Sequence, residues 1–340
     1  MRWSHAALTV LVVGACGRAA QPESEPAPRV APPPPAAPTV AAPSRDEPPL
    51  SDAGAADGAA PDAEADAGAP RARAPIPPDM LPIPGGTFVM GADTGGEEDE
   101  HPAHQVTVRG FLLDRTEVTN AAYLEGVKAG ACRMYRTDAA VSFHAGPDRD
   151  FRHPEQPVSA VSWDDAKGYC EWRGRRLPTE AEWERAARGD DGRRYPWGDE
   201  PPDPKRHGCW GSSPPPCGGR TAPVGSYPAG AGPYGHLDLA GNVWEWTADY
   251  YDPMAYTRPT AKDGVPGSCE EILESLAGLR KNHRQGFTGT NPIPVECERV
   301  LRGGAYNYRG EGLRAMNRVH HPGSFRILVA GFRCARDAPE

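Results

Sequence analysis

The chain has no run of eighteen apolar residues, so a membrane-spanning helix is not expected. It has no excess of basic charge either. Lys and Arg number 37 against 46 Asp and Glu, and the formal net charge is −9. The acids crowd in before residue 101, so the chain lacks the electrostatic footprint of a nucleic-acid binder. No glycine-rich phosphate loop and no Ser-His-Asp arrangement stands out. Helical periodicity is missing after about residue 190, where Gly and Pro recur every few residues. A long irregular region inside a compact domain is functional or needs bracing.

What is present divides the 340 residues into unlike materials. Arg2 and His5 precede the apolar run Ala6 to Val13, followed by Gly14-Ala15-Cys16. That run suits the h-region of an export signal, and the small residues before Cys16 resemble a bacterial lipobox. The reading is a signal peptide over 1–16 with Cys16 lipidated; an ordinary signal cleaved nearby is the alternative. The expected location is the cell envelope, at the outer membrane or periplasmic face, with the lipid anchor as the sole membrane contact. Residues 17–80 are rich in Pro, Ala, Asp, Glu and Gly, and cannot bury enough apolar surface to offset chain entropy. They are expected to form a disordered tether. The remaining ~260 residues suffice for one large core. Export also changes the cysteines, which tend to pair in an oxidising compartment. Of eight, setting Cys16 aside leaves seven, so at least one thiol is free or bridges to another chain.

From Leu81 onward local signals can be read. Ile83-Pro84-Gly85-Gly86 is a turn before a short strand. Glu97 to Glu100 reads as a loop. Gln105 to Val108 alternates like a strand that Phe111-Leu112-Leu113 continues. Thr119 caps a helix to about Lys128, closed by Gly130. Ser162 with Asp165 approaches a capping box, and Gly174 ends that helix. Thr179 to Glu182 is a full capping box, with Trp183, Ala186 and Ala187 inward and Gly189 at the end. Residues 252–298 read as an insertion with a helical stretch from Glu270 to Leu279.

The most informative stretch is Tyr234 to Trp246. Two Trp flank Glu245, and Gly241-Asn242 tolerate positive φ. A sharp turn there would point carbonyls inward beside Asp238 and Glu245, which is a ligand set suited to calcium. On residue types alone a second reading stays open, with the Trp in the core and the acids solvated or capping.

This stretch, with six other segments in order, resembles the formylglycine-generating enzymes, or sulfatase-modifying factors. The other segments are Pro84 to Gly91, Pro157 to Trp163, Arg176 to Glu184, Tyr195 to Gly198, Arg302-Gly303-Gly304 and Gly331 to Cys334. The resemblance covers residues 81–337. It implies an irregular α+β domain of C-type-lectin-like kind with little regular secondary structure. It also implies one calcium site, made by the side chains of Asp238 and Glu245 and the carbonyls of Gly241 and Val243. A second family calcium site is not recognisable before Thr221. A disulfide Cys170–Cys334 is implied; Cys209 with Cys217, and Cys269 with Cys297, could close two further loops, leaving Cys132 over.

The enzymes of this family oxidise a client cysteine to formylglycine with copper held by two cysteines after the Arg-Gly-Gly motif. Here those positions are Tyr308 and Leu313, and no cysteine stands between Cys297 and Cys334. Copper is therefore not expected. His320-His321 and the pair His101 and His104 fall short of a facial triad and are assigned surface or capping roles. The reading is a non-catalytic binding or scaffold protein. Its expected groove takes in Tyr306, Asn307, Tyr308, Arg309 and Tyr250, with donors from Arg302, Arg314 and Arg318 and further rings from Tyr251 and Tyr256. The ligand would be a peptide, a glycan or an envelope protein. The rival is a metal-dependent oxidoreductase of the same family, including its non-haem-iron members.

Overall fold

The computed structural model describes residues 75–135, 151–211, 213–258, 267–282 and 296–339. The signal segment, Cys16 and the tether up to residue 74 lie outside them. Among the described residues no helix is long and apolar enough to cross a membrane.

Three small sheets carry the domain. In the first, β1 (Met80–Ile83) pairs antiparallel with β4 (Phe111–Asp114), which pairs with the closing strand β9 (Ala335–Asp337). The second is a hairpin of β2 (Gly86–Met90) and β3 (His104–Val108). The third has the order β7-β6-β5-β8, made from β7 (Arg318–Pro322), β6 (Glu298–Arg302), β5 (Trp244–Tyr250) and β8 (Ala330–Gly331). Phe111-Leu112-Leu113 does not continue β3, as the sequence suggested. Gly110 comes close to the Gly85 backbone, and the chain crosses there into the other sheet.

The capping residues place the helices. In α1 (Asn120–Lys128) the Thr119 hydroxyl accepts from the Ala122 amide at 3.2 Å. In α2 (Trp163–Trp172) and α3 (Glu180–Arg188) the boxes Ser162/Asp165 and Thr179/Glu182 are complete. Residues Cys269–Asn282 form α4.

The centre of the fold is α3, which packs on β2, β3, β5 and β6. All nine of its residues are buried, including Glu180, Glu184, Arg185 and Arg188. Buried charge is tolerated only when paired. Arg302 meets Glu180 at 2.8 Å and Glu184 at 2.5 Å, and Arg318 meets Glu180 at 2.6 and 3.0 Å. Two apolar clusters flank this ionic centre. One gathers Phe88, Val106, Phe111 and Trp183; the other gathers Tyr123, Tyr169, Trp244, Trp246 and Phe332.

Three disulfides are formed: Cys170–Cys334, Cys209–Cys217 and Cys269–Cys297. Cys132 is a free thiol, and burial pushes it above the ordinary thiol range.

Candidate functional site

Two loops border the β5–β6 pair. The first enters β5 through the turn from Asp238. Asp238, Gly241 and Asn242 have φ of 57°, 94° and 62°, so the sharp turn read from Gly241-Asn242 is there. Asn242 is locked in place. Its amide oxygen accepts from the Ala222 amide at 2.9 Å, and its amide nitrogen donates to Glu117 at 3.3 Å. Glu245 is fully buried. Arg333 donates to both its oxygens, at 2.6 and 2.7 Å, and the Trp183 indole donates at 2.8 Å. The same guanidinium reaches the carbonyl of Leu237 at 2.9 Å. Asp238 accepts from the Gly225 amide at 2.6 Å.

Three carboxylates, Glu117, Asp238 and Glu245, are thus buried around one guanidinium. For Asp238 and Glu117, burial first and neighbouring carboxylate charge after it show in the titration. Burial pushes Asp238 up to about 6. Burial, then the charges of Asp238 and Glu245, hold Glu117 well above its ordinary range. Glu117 Oε1 is buried with no hydrogen-bond partner, which is costly for a polar atom. No group of three His, Cys, Asp or Glu side chains among the described residues could hold a metal. A cation at this turn would therefore need backbone carbonyls as well as carboxylates. Sequence reading missed Glu117; its signal was an acid two residues ahead of the Thr119 cap.

The second loop leaves β6 at Gly303 and runs to Leu313. It is tied to the first, because the Gly241 amide donates to Gly303 O at 2.8 Å and the Tyr306 amide to Asn242 O at 2.9 Å. Here the expected groove needs correction. Tyr306 does not line a surface. It is fully buried and packs on Phe151 with ring centroids 5.2 Å apart. Tyr250 sits at the far end of β5 from Trp244, roughly 20 Å away at strand rise. There it covers the Arg299 guanidinium, 3.4 Å from its ring centroid, with Trp163 stacked on the same group.

Tyr251 and Tyr256 are core residues. Tyr251 donates to Asp99 at 2.6 Å. Arg302 and Arg318 are fully buried in the ion pairs of α3, and Arg314 binds Glu100; all three are turned to internal carboxylates and not to a surface groove. Within the Glu97–Glu100 stretch, expected as a loop, Glu98–Glu100 forms a 3-10 turn with Asp99 and Glu100 buried. His320 is likewise no surface residue; it pairs with Glu298 at 2.5 Å and stacks on Tyr251 at 3.9 Å.

What remains of the expected groove is a short exposed segment, Asn307, Tyr308 and Arg309. The Tyr308 ring stands edge-on to Trp244, 5.2 Å away. Burial raises its phenol above the ordinary range. Leu313 is fully buried beside Tyr195 and Ala240. The loop closed by Cys209–Cys217 presses on this segment. A Cβ on Gly211 would stand 2.8 Å from Tyr308 O, and one on Gly310 would lie 3.5 Å from the Trp210 ring.

Fold and motifs together define a sulfatase-modifying-factor domain. The family described as "Sulfatase-modifying factor enzyme 1-like domain" matches residues 66–338, and the chain belongs to it. A formylglycine-generating enzyme of Streptomyces coelicolor is 36% identical, over 75% of this chain and 88% of that protein. The inactive C-alpha-formylglycine-generating enzyme 2 of Mus musculus is 39% identical, over 52% of this chain and 70% of that protein. Among solved structures, PvdO from Pseudomonas aeruginosa superposes with a TM-score of 0.57 at 27% identity, covering 76% of this chain and 94% of that one.

Proposed function

We propose that this chain is a non-catalytic binding or scaffold member of its family, held at the cell envelope by a lipid on Cys16 and braced by calcium. One observation carries the reading: the two positions matching the family's copper thiolates hold a phenol and a buried alkyl side chain. Soft Cu(I) requires sulfur, which neither Tyr308 nor Leu313 supplies, and no cysteine lies between Cys297 and Cys334. Copper does not fit these residues, and no oxidation step is derived through it. The inactive relative in mouse supports the same reading.

Calcium does fit its turn. The donors are hard oxygens, the local charge is in excess of one guanidinium, and Glu117 Oε1 is orphaned. Asp238, Glu245 and the carbonyls of Gly241 and Val243 would hold the ion. Its role would be to neutralise charge and fix the turn that supports the Tyr308 segment. The ligand face is then Asn307, Tyr308 and Arg309 over Trp244. Tyr and Arg are frequent anchors of recognition, and a peptide, glycan or envelope protein is the class of partner.

The test is a metal analysis of the purified chain together with an assay on a cysteine-containing sulfatase peptide under oxygen and Cu(I). Calcium at about one per chain, no copper or iron, and no aldehyde on the peptide are expected. Chelation should lower the melting point, as loss of a ligand present at about a hundredfold over its Kd removes about 2.7 kcal/mol. Aldehyde formation, or stoichiometric copper or iron, would overturn the reading in favour of the oxidoreductase.

A further inference from the structure

The hairpin of β2 and β3 has two outer edges, and they differ. Along β2, Arg188 donates to the carbonyls of Val89 and Gly91 at 3.1 and 2.6 Å, and the Gly91 amide donates to Glu184 at 2.8 Å. That edge is closed by α3. Along β3, from His104 to Val108, no backbone group forms a hydrogen bond outside the hairpin among the described residues. Alternate residues of an antiparallel strand turn both their backbone groups away from the partner, so β3 carries a row of donors and acceptors with no strand to take them. Such an edge is a template for another strand, and native proteins blunt it with Lys, Pro or a bulge. The five residues of β3 include neither Lys nor Pro, and their pairing with β2 runs without a register shift.

The side chains of β3 suit a second copy of the same strand. Val106 and Val108 are buried, while Gln105 and Thr107 are exposed. An antiparallel twin with Val106 on a two-fold axis sets Gln105 opposite Thr107 of the other copy, and His104 opposite Val108. Residues directly opposite one another share a face of the sheet, so inward positions meet inward ones and exposed meet exposed. In the same register Arg109 comes opposite Ala103 of the other copy. Beside Ala103 stands Asp93, which accepts from its amide at 3.0 Å. Arg109 and Asp93 are both exposed, and neither forms an ion pair among the described residues. The axis makes this match of opposite charges twice. A one-residue slip would bring inward positions against exposed ones.

We propose that β3 is a self-association edge at which two copies of this chain pair, joining their hairpins into one sheet of order β2-β3-β3-β2. The contact is isologous, each copy offering the same strand and the same Arg109 and Asp93. A two-stranded hairpin is marginal by itself, and the pairing gives each β3 a neighbour on both sides. The charge match selects a second copy over an unrelated extended peptide. The contact involves neither the Tyr308 segment nor the calcium turn, so it goes beyond the reading above and either can fail alone.

The experiment uses the full purified chain in density-matched detergent, with sedimentation equilibrium and hydrogen exchange read together. A reversible monomer–dimer equilibrium is expected, with exchange of the amides from Gln105 to Val108 slowing as protein concentration rises. Arg109→Asp and Asp93→Arg each set like charges across the axis twice, and each should weaken the dimer about tenfold. Combining Arg109→Asp with Asp93→Arg restores opposite charges and should return the affinity to within about threefold of the parent. A chain that stays monomeric at every concentration would overturn the proposal. So would a dimer unaffected by both single changes, or a double variant no tighter than the singles. Amides of β3 already protected in the monomer would overturn it too, by showing that another part of the chain covers the edge.

Discussion

The turn entering β5 and the loop leaving β6 are neighbours joined by two backbone hydrogen bonds, yet they are built oppositely. In the first, Glu245, Arg333, Trp183 and Asn242 are buried and interlocked. In the second, Asn307, Tyr308 and Arg309 face solvent, while Ala305, Tyr306 and Leu313 anchor the segment in the core. The difference shows which half of this scaffold can change. A side chain in the turn is fixed by several others, so replacing it disrupts them all. The Tyr308 side chain is partly exposed and stands edge-on to Trp244, so exchanging it should leave the frame intact. Exchange of side chains along the exposed loop is thus compatible with full retention of the turn.

The sharpest way to break this contrast is Arg333→Ala. It strips Glu245 of a two-pronged partner and leaves a buried carboxylate uncompensated, a change that costs about 3–5 kcal/mol. A melting point lowered by ten degrees or so, about 2–4 °C per kcal/mol for a domain of this size, is the expected outcome. If calcium occupies the turn, adding it should restore part of the loss. A melting point within two degrees or so of the parent would mean the turn is not a structural centre.

The disulfides extend the contrast to the covalent level. Cys170–Cys334 spans 164 residues and Cys209–Cys217 spans 8. On the chain-entropy account, removing the first should cost about 5 kcal/mol and the second about 2.5 kcal/mol. Paired Cys→Ala variants, unfolded in urea, test the ranking. Equal losses would show that strain or residual structure, and not loop length, governs these bridges.

The same contrast explains what was legible in the sequence. Helix starts are local chemistry, so Thr119, Ser162 and Thr179 marked α1, α2 and α3 correctly. The Gly241-Asn242 turn was readable because few residues accept positive φ. The strands β5 to β9 were not marked. In β5 the first four residues, Trp244-Glu245-Trp246-Thr247, are all buried, so no alternation of apolar and polar residues exists to be seen. The arginines misled for a related reason. Arg302, Arg314 and Arg318 look like surface donors until the fold brings Glu180, Glu184 and Glu100 against them from distant parts of the chain. A partner more than a hundred residues away leaves no local trace.

Asp249 offers a smaller test on the strand the turn feeds. It accepts from the Glu180 amide at 2.7 Å, and burial, then the Glu180 charge, pushes it up to about 8. A carboxyl raised in the folded state disfavours folding when ionised. The penalty is absent well below the ordinary carboxyl pKa of 3.8, begins near pH 4, grows as pH rises and is complete above about 8. Asp249→Asn keeps an acceptor for the amide and cannot ionise. It should match the parent near pH 4 and exceed it at pH 9, by about 1 kcal/mol or 2–4 °C. A variant less stable at pH 9 than the parent would reverse the sign and show the ionised Asp249 to be favoured by Arg318.

Tyr308→Ala should have the smallest effect on the frame. The ring is partly exposed and edge-on to one Trp, a contact worth about 0.5–1.5 kcal/mol. Its backbone amide, bonded to Ala305 O at 3.0 Å, is untouched by the change. The melting point should therefore fall by no more than a few degrees, while binding of any partner at the Asn307–Arg309 face is lost. The two measurements pull in different directions by design. If stability collapses, Tyr308 is a core residue and the loop is braced like the turn. If stability and binding both survive, the exposed segment carries no ligand.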